Sequence, residues 1–383
     1  MTDTTILQRL RDRRDAMFAD LERLVTTESP STDHPALHRC ADVIAEVGQA
    51  VIGAHPERTE AGGTPVLRFG REDAPVLLLA HLDTVHPLGT LERVPYAVAD
   101  GRVYGPGVLD MKIGLVQALH ALAETGAVRD DRAALLVTAD EELGSPHSRA
   151  VIERAASAAR AVLVLEPSAG GKLKISRKGV SRYELELAGR AAHAGLNPGQ
   201  GANACLGLAH AALLATDLAD DQAGTTVTPT LAAAGTSANT VPDSASLALD
   251  VRAVTADEQQ RVDQALRALT EPLAGVRLTV HGGINRPPMQ SATGEQLFER
   301  ARQAATSLGL DELEAQHVGG GSDGNFTAAL GVPTLDGLGA VGAGAHTEKE
   351  WADVGAVPDR AALLAGLLDT LATDGTAEKG TGS

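Results

Sequence analysis

The sequence is poor in cysteine and in aromatic residues. Its only two cysteines, Cys40 and Cys205, lie far apart. Neither has a second cysteine at metal-ligand spacing, so neither a disulfide framework nor a cysteine-based zinc site is indicated. Aromatic residues make up 2% of the chain and the formal net charge is −17. Nucleic-acid platforms need stacking aromatics and a basic surface, so we expect no nucleic-acid binding.

Long apolar runs are also missing. No segment approaches 18 uninterrupted apolar residues, so we expect no membrane span. The N-terminal stretch up to Leu24 is charged throughout and is typical of an amphipathic helix rather than a signal peptide. A cytoplasmic location is therefore expected. With 43% hydrophobic and 22% charged residues the composition is that of a folded protein, and 383 residues predict two domains.

Several short apolar runs end at ionisable residues, and this pattern predicts a shared site. The runs and the residues that follow them are Ala74 to Ala80 before His81, Ala133 to Thr138 before Asp140-Glu141-Glu142, and Ala161 to Leu165 before Glu166. Each run has the length and composition of a buried strand. Sites in open α/β sheets form outside the carboxyl ends of the strands, so these residues are expected to meet in one crevice.

The pattern changes between about Lys174 and Pro288. Alternating stretches there indicate half-exposed antiparallel strands, and helical patterns lie near 201–216 and 256–272. The resulting β-α-β-β-α-β order is typical of a ferredoxin-like domain. We therefore predict an α/β catalytic domain, with a mixed sheet flanked by helices, at 1–178 and 288–383. An α+β lid is inserted at 179–287. The tail after Ala372 is Gly/Thr-rich and is predicted to be mobile.

Five side chains spread along the sequence offer the ligands of a metal pair. Two are imidazoles and three are carboxylates, in the motifs HLDTV, GPGVLDMK, DEELGS, LEP and GAHTE: His81, Asp110, Glu142, Glu166 and His346. Imidazole and carboxylate suit borderline-soft divalent ions. One bridging carboxylate can hold two ions about 3.5–4 Å apart, where they activate one water.

These motifs, in this order, resemble the zinc-dependent family of acetylornithine deacetylase, succinyl-diaminopimelate desuccinylase, aminoacylase and glutamate carboxypeptidase. The similarity covers nearly the whole chain and is closest to the glutamate carboxypeptidases of the carboxypeptidase G type. It implies two Zn²⁺ per subunit, with Co²⁺ or Mn²⁺ as possible substitutes. It also implies that His81, Asp110 and Glu166 hold one ion, that Asp110, Glu142 and His346 hold the other, and that Asp110 is the bridge.

The resemblance assigns further roles. Asp83 is expected to accept the second imidazole N–H of His81 and to orient that ring. Glu141 matches the general base. In the lid, His193 matches a residue that reaches the oxyanion across a homodimer interface formed by the lid, and Asn239 matches a residue that contacts substrate. His86, His147 and His317 match no metal position and are interpreted as surface or loop residues.

The substrate is predicted to be a small acyl-amino acid or a peptide with a free carboxylate. Relatives with Glu at the position of Glu166 tend to act on such substrates. Arg286, with Lys178 or Arg177, resembles the basic positions that bind a terminal carboxylate, although basic residues at a domain hinge can instead bind acidic residues of the lid. The glycine-rich segment around Gly320 resembles one that approaches substrate closely.

The leading prediction is a metallocarboxypeptidase that releases a C-terminal amino acid, with glutamate as one candidate, from an N-acyl or peptidyl substrate. The close alternative is an N-acyl-amino-acid deacylase of the acetylornithine deacetylase or desuccinylase type. An alternative of another class is a non-catalytic peptide-binding or scaffold protein. Loss of a ligand or of the base would mark that class, and none is missing from the sequence.

Overall fold

The computed structural model of the chain describes residues 5–270 and 273–377. The chain divides into two units. One, here called the catalytic unit, contains the chain up to Ser176, Gln290–Val318 and the chain from Ser322 onwards. The other, here called the lid unit, contains Arg177–Met289 and Gly319–Gly321. The glycine-rich segment, which lies beyond the predicted insertion, therefore contributes three residues to the lid unit.

The chain before the lid unit alternates helices and strands. Its helices are α1 (Ile6–Asp12), α2 (Arg14–Thr26), α3 (His34–Ile52), α4 (Thr90–Arg93), α5 (Ile113–Thr125) and α6 (Arg149–Ala158). Its strands are β1 (Glu57–Ala61), β2 (Thr64–Phe69), β3 (Val76–His81), β4 (Ala97–Ala99), β5 (Arg102–Tyr104), β6 (Ala133–Thr138), β7 (Ala161–Val164) and β8 (Leu173–Arg177). The predicted N-terminal helix is thus two helices, which meet at Arg13.

The lid unit and the last part of the chain follow. The lid unit contains β9 (Gly179–Ala188), β10 (Ala192–His193), α7 (Ala204–Thr216), β11 (Thr226–Ala234), β12 (Thr240–Val241), β13 (Ser244–Ala253), α8 (Ala256–Arg267) and β14 (Arg277–Arg286). The catalytic unit resumes with α9 (Glu295–Leu308), β15 (Ala315–Val318), α10 (Gly324–Ala329), β16 (Thr334–Leu335), β17 (Gly342–Ala343), β18 (Trp351–Asp353) and α11 (Ala356–Ala377). Helix α11 includes the start of the tail predicted to be mobile, and the rest of that tail lies outside the described residues.

The central sheet of the catalytic unit has the strand order β1-β2-β6-β3-β7-β16. Strands β6, β3, β7 and β16 are parallel, β2 pairs antiparallel with β6, and β1 pairs antiparallel with β2, so the predicted mixed sheet is confirmed. The register pairs His81 with Thr138 and Leu79 with Val164. The carboxyl ends of β3, β6 and β7 therefore lie side by side, and the residues that follow them emerge at one edge of the sheet.

Helices cover both faces of this sheet. Leu78 and Leu135 pack into a cluster with residues of α1, α2, α3, α5, α9 and α11. Their sequence neighbours Leu77 and Leu136 point the other way and pack against α6 and α10. Alternating side chains are therefore buried on both faces, which explains why the strands read as continuous apolar runs. Each buried leucine contributes about 1.5–3 kcal/mol.

The lid unit is a four-stranded antiparallel sheet with the order β11-β13-β9-β14. Apolar side chains of its strands pack with α7 and α8 into a separate core. The connectivity is the predicted β-α-β-β-α-β order, which confirms an inserted α+β domain. Strand β11 forms one edge and is exposed along nearly its whole length. Among the described residues, no helix is long and apolar enough to cross a bilayer.

Candidate metal centre

His81, the last residue of β3, is buried, and its ring is fixed on one side. Its backbone N–H faces Met111 Sδ at 3.3 Å. Nδ1 lies 3.0 Å from the carbonyl oxygen of Asp83 and 3.3 Å from Asp83 Oδ1. The other ring nitrogen, Nε2, lies 3.3 Å from Asp110 Oδ1 and 3.5 Å from Glu166 Oε1. The ring therefore presents one nitrogen to two carboxylates that come from other loops.

Asp110 places its two carboxylate oxygens against two different imidazoles. Oδ1 lies near His81, whereas Oδ2 lies 3.4 Å from His346 Nε2. The same nitrogen of His346 is 3.2 Å from Glu142 Oε2. Asp110 lies in the turn at Val108–Lys112 that precedes α5, and His346 lies in the loop between β17 and β18 with a left-handed backbone (φ 63°). The five predicted ligands thus lie together, grouped as His81 with Glu166 and His346 with Glu142 on either side of Asp110.

Two buried atoms at this centre lack hydrogen-bond partners. Both His81 Nε2 and Asp110 Oδ1 are enclosed, and neither makes a hydrogen bond. Burying such groups unpaired is costly, whereas a cation between them would satisfy both. Ligand atoms of His81, Asp110 and Glu142 lie within 4.8 Å of one another, as do those of His81, Glu141 and Glu166. Two imidazoles with carboxylates are a donor set that fits zinc, so the residues suit the group that the sequence predicts.

The pKa values of the ligands show how strongly their charges interact. Burial lowers the pKa of His81, but Asp110, Asp83 and Glu166 outweigh it and hold the value well above the usual range. Hydrogen bonds to Asp110 and then to Glu142 raise the pKa of His346 to about 10. The carboxylates therefore favour the protonated form of both rings, and ligation requires each ring to lose the proton on its ligating nitrogen.

Asp83 connects the His81 loop to the turn that carries the two glutamates. Its Oδ1 accepts the backbone N–H of Glu141 at 3.2 Å, and its Oδ2 accepts that of Glu142 at 3.2 Å. Ser31 Oγ also donates to Oδ2 at 2.7 Å. Asp83 is completely buried. Its carboxylate therefore orients the Glu141–Glu142 turn as well as lying beside the His81 ring, a second task that the sequence did not indicate.

Two other buried acids, Asp140 and Asp323, bind the chain at 145–148 that directly follows this turn. Asp140 accepts the backbone N–H groups of His147 and Ser148 at 2.8 and 3.1 Å, and the Ser148 hydroxyl donates to it as well. Asp323 accepts the hydroxyl of Ser145. Hydrogen bonds therefore hold the backbone around these three adjacent acids in place. Asp140 holds the backbone, so its two neighbours can present their carboxylates to the site.

The structure corrects the interpretation of His86. This residue is 8% exposed rather than on the surface, and its Nε2 lies 2.7 Å from Glu350 Oε2. His147 and His317 are exposed, as expected. Glu350, which was not predicted from the sequence, is also buried, with 1% exposure. A charged run such as Glu348-Lys349-Glu350 is typical of a solvated surface. Its position four residues after His346 was the one sequence feature that pointed to a role for Glu350 near the metal site.

Two predicted site residues lie together in the lid unit. The short strands β10 and β12 pair His193 with Thr240, and the N–H of Ala194 donates to the carbonyl of Asn239 at 2.9 Å. The ring of His193 is exposed, and its Nδ1 accepts the backbone N–H groups of Gly195 and Leu196, each at 3.1 Å. An imidazole that accepts at Nδ1 carries its proton on Nε2 when neutral.

The basic candidates in the lid unit differ in their surroundings. Arg177 Nη1 donates to the carbonyls of Gly320 and Gly321 at 3.2 and 3.3 Å. Lys178 Nζ donates to the carbonyl of Gly224 at 2.6 Å. Arg286 is 4% exposed, and its Nη1 lies 3.3 Å from Asn285 Oδ1. Arg177 and Lys178 thus each bind at least one backbone carbonyl.

Comparison with known proteins agrees with this geometry. Residues 77–370 match the family model described as peptidase family M20/M25/M40. The chain is 31% identical to carboxypeptidase G2 of Pseudomonas sp. (strain RS-16), over 96% of this chain and 92% of the relative. It is 27% identical to succinyl-diaminopimelate desuccinylase of Acinetobacter baumannii (strain ACICU), over 89% and 94% of the two chains.

A solved structure has the same fold. The M20 family metallo-carboxypeptidase Sso-CP2 from Sulfolobus solfataricus superposes with a TM-score of 0.72 at 16% identity, covering 93% of this chain and 99% of the other. Because the family model spans well over half of the sequence and one curated relative exceeds 30% identity along nearly its whole length, the predicted family is confirmed. The chain belongs to the peptidase family M20/M25/M40 and is a metal-dependent hydrolase.

Proposed function

We propose that the protein is a two-zinc metallocarboxypeptidase that hydrolyses an amide bond next to a free carboxylate. It would release a C-terminal amino acid, with glutamate as one candidate, from an N-acyl or peptidyl substrate. One observation carries the proposal. The two oxygens of Asp110 lie near two different imidazoles, Oδ1 at 3.3 Å from His81 and Oδ2 at 3.4 Å from His346, as expected of a carboxylate that bridges two cations.

Each cation would be completed by one further carboxylate. Glu166 lies on the His81 side and Glu142 on the His346 side. When bound, the two metal ions would supply Lewis acidity and lower the pKa of a water molecule. Glu141 is the neighbour of Glu142 and is buried, 9% exposed, in the same turn. We assign it the general base that takes a proton from the water and returns it to the leaving amine.

His193 is the proposed donor to the oxyanion. Because its Nδ1 accepts two backbone N–H groups, the neutral ring carries its proton on the exposed Nε2, which is the form needed to donate a hydrogen bond. The resemblance implies that this residue acts in the site of a partner subunit. Asn239, whose carbonyl accepts the N–H of Ala194, lies beside it and is the proposed second lid contact.

Exposed leucines of the lid unit support a homodimer. Helix α7 exposes Leu206 and Leu213, at 55% and 68%, and the edge strand β11 exposes Leu231 at 74%. Exposed leucines beside an unpaired strand edge are an unfavourable surface for a monomer. We expect the wild-type chain to sediment as a dimer and Leu213→Glu with Leu231→Glu to sediment as a monomer. A wild-type protein that stays monomeric at micromolar concentration would contradict this assembly.

The close alternative is a deacylase, such as the desuccinylase among the relatives. Both activities break the same kind of bond, and they differ in which half of the substrate is recognised. Arg286 fits either activity, because both kinds of substrate carry a carboxylate next to the amide and a buried guanidinium suits bidentate binding of it. The family, whose relatives named above are enzymes, argues against the non-catalytic alternative.

The proposal is tested by metal content together with a substrate panel. Purified protein should bind two zinc ions per chain, and its activity should disappear with a chelator and return with Zn²⁺ or Co²⁺. Acyl-glutamates, acyl-ornithine and succinyl-diaminopimelate should then be compared. Preference that follows the amine half, with many acyl groups tolerated, supports the carboxypeptidase. Preference that follows the acyl half identifies the deacylase, and a single bound ion would refute the two-metal site.

A further inference from the structure

Glu350 holds the segment that carries the bridging aspartate. Its Oε1 accepts the backbone N–H groups of Leu109 and Asp110 at 2.7 and 3.0 Å. Its Oε2 accepts that of Gly107 at 3.0 Å. One carboxylate therefore binds three amides of a single turn. The side chain is 1% exposed, so solvent does not compete for these bonds.

The same carboxylate connects both histidine loops. Glu350 follows His346 by four residues, in the loop between β17 and β18. Its Oε2 also lies 2.7 Å from Nε2 of His86, which follows His81 by five residues in the loop after β3. The Asp110 turn is thus held through Glu350 by the two loops that supply the imidazoles. We call this arrangement of Glu350, His86 and the 107–110 amides the bridge clamp.

The clamp acts on the geometry of the bridge rather than on the reacting atoms. Glu350 receives four donors and is enclosed, so it has no access to substrate. Yet the amide of Asp110 is bonded directly to the Cα that carries the bridging carboxylate. A movement of this turn would shift both oxygens at once, changing their distances to His81 and to His346 together.

We propose that Glu350 is a positioning residue that fixes the bridging carboxylate of Asp110 between the two cations, with His86 fixing Glu350 in turn. This inference rests on the proposed two-metal function, because it assigns a supporting role at that site. Residues that orient metal ligands through hydrogen bonds typically contribute a factor of about 10–100 to metal affinity or activity. The clamp supports the bridge, so its loss should affect the second cation and the coupling between the two ions more than overall folding.

The test uses Glu350→Gln, which keeps the shape but removes the charge and one acceptor oxygen. Chelator competition should show the affinity for the second Co²⁺ falling by about 10–100-fold. At saturating Co²⁺, the paramagnetic resonance signature of two bridged ions should weaken. With two ions bound, kcat should fall while KM stays within about threefold, because the substrate contacts are elsewhere.

His86→Leu keeps the hydrogen bonds from the three backbone N–H groups to Glu350. It should therefore change cobalt affinity, coupling and kcat in the same direction, but by a smaller factor.

The matched control is Glu348→Gln. Glu348 lies in the same loop but is exposed and pairs with Arg93 at 2.8 Å, so its metal binding and spectrum should equal those of the wild type. If Glu350→Gln lowers only the unfolding temperature and leaves cobalt affinity and coupling unchanged, the inference is wrong. If Glu350→Gln does not fold, His86→Leu decides by the same readouts. A wild-type protein without two coupled ions would instead refute the proposed function.

Discussion

The two sets of predicted catalytic residues differ in their surroundings, with most of the first set buried and the second set exposed. In the catalytic unit, His81 and Asp83 are 2% and 0% exposed. In the lid unit, His193 and Asn239 are exposed, with His193 on the two-residue strand β10 and Asn239 directly before its partner strand β12. His81, Asp83, Glu142 and Glu166 follow strands that helices bury on both faces. Asp110 precedes α5, and His346, with a side chain 53% exposed, lies in the loop between β17 and β18. The positions of the second set are fixed by a few backbone hydrogen bonds in and beside the two-stranded sheet β10-β12.

This difference follows from the task of each set. Ligands that hold charged ions must keep their geometry when no substrate is present, and buried carboxylates such as Asp83 and Glu350 provide it by binding backbone amides. A donor to the oxyanion is needed only as charge develops, so His193 can remain accessible as long as its tautomer is set. Substitutions in the two units should therefore fail in different ways.

The largest effect is expected for Asp110→Asn. An amide has only one acceptor oxygen and no charge, so it cannot bridge two cations and cannot balance both imidazoles. We expect activity at background level and fewer than two zinc ions per chain by elemental analysis. Full zinc content with normal turnover would show that Asp110 is not the bridge and would remove the basis for the comparison between the two units.

The next effect is expected for Glu141→Gln. Glutamine keeps the size of the side chain but cannot take a proton, so kcat should fall by roughly 10²–10⁴-fold. Both zinc ions should remain bound, because the proposed ligands are unchanged. Glu153→Gln, which alters a glutamate of α6 paired with Arg149, is the control and should retain wild-type rates. Loss of zinc from Glu141→Gln would make that residue a ligand instead of the base.

His193→Ala tests the lid side of the comparison. Removal of one oxyanion donor should lower kcat by about 10²–10³-fold. Metal content and thermal stability should not change, because the ring is exposed. His281→Ala is the matched control, since His281 is another exposed lid histidine and bonds Glu186 at 3.0 Å. If His193→Ala releases zinc, its assignment to the oxyanion is wrong.

The buried parts of the molecule were the most predictable. The apolar runs identified β3, β6 and β7 because strands buried on both faces leave no polar positions. The residues at their ends followed, since parallel strands bring their carboxyl ends to one edge. Glu350 and His86 were not predictable in this way. Their burial depends on contacts between loops that are far apart in the sequence. Such contacts leave no periodic pattern in the local sequence.

The pH dependence of metal binding tests the two histidine ligands of the catalytic unit. Hydrogen bonds to Asp110 and Glu142 raise the pKa of His346 to about 10, and the pKa of His81 is also raised. His346 is protonated at pH 7, and each ring must lose the proton on its ligating nitrogen to bind a cation. We expect calorimetry in buffers of different ionisation enthalpy to show protons released on zinc binding, and affinity to increase with pH. His346→Ala should release about one fewer.

The same shift predicts how stability depends on pH before metal is added. The pKa of His346 is above its usual value of 6.5, so its contribution to folding is complete below that pH and is lost as the pH rises through about 10. Chelated wild-type protein should therefore lose stability over this range relative to chelated His346→Ala, as measured by urea unfolding. Parallel stability curves for the two proteins would contradict the ion pairs seen around this ring.

The smallest effects are expected among the basic residues of the lid unit. Arg286→Lys keeps the charge but loses the planar fork, so KM for substrates with a free carboxylate should rise by about 10–100-fold. Lys178→Met should change KM only slightly, because Nζ of Lys178 binds the carbonyl of Gly224. A substrate whose terminal carboxylate is amidated provides the control, since it should lose the difference between wild type and Arg286→Lys. If Lys178→Met has the larger effect, the carboxylate is held by the residue that the structure shows bound to backbone, and the lid must rearrange on substrate binding.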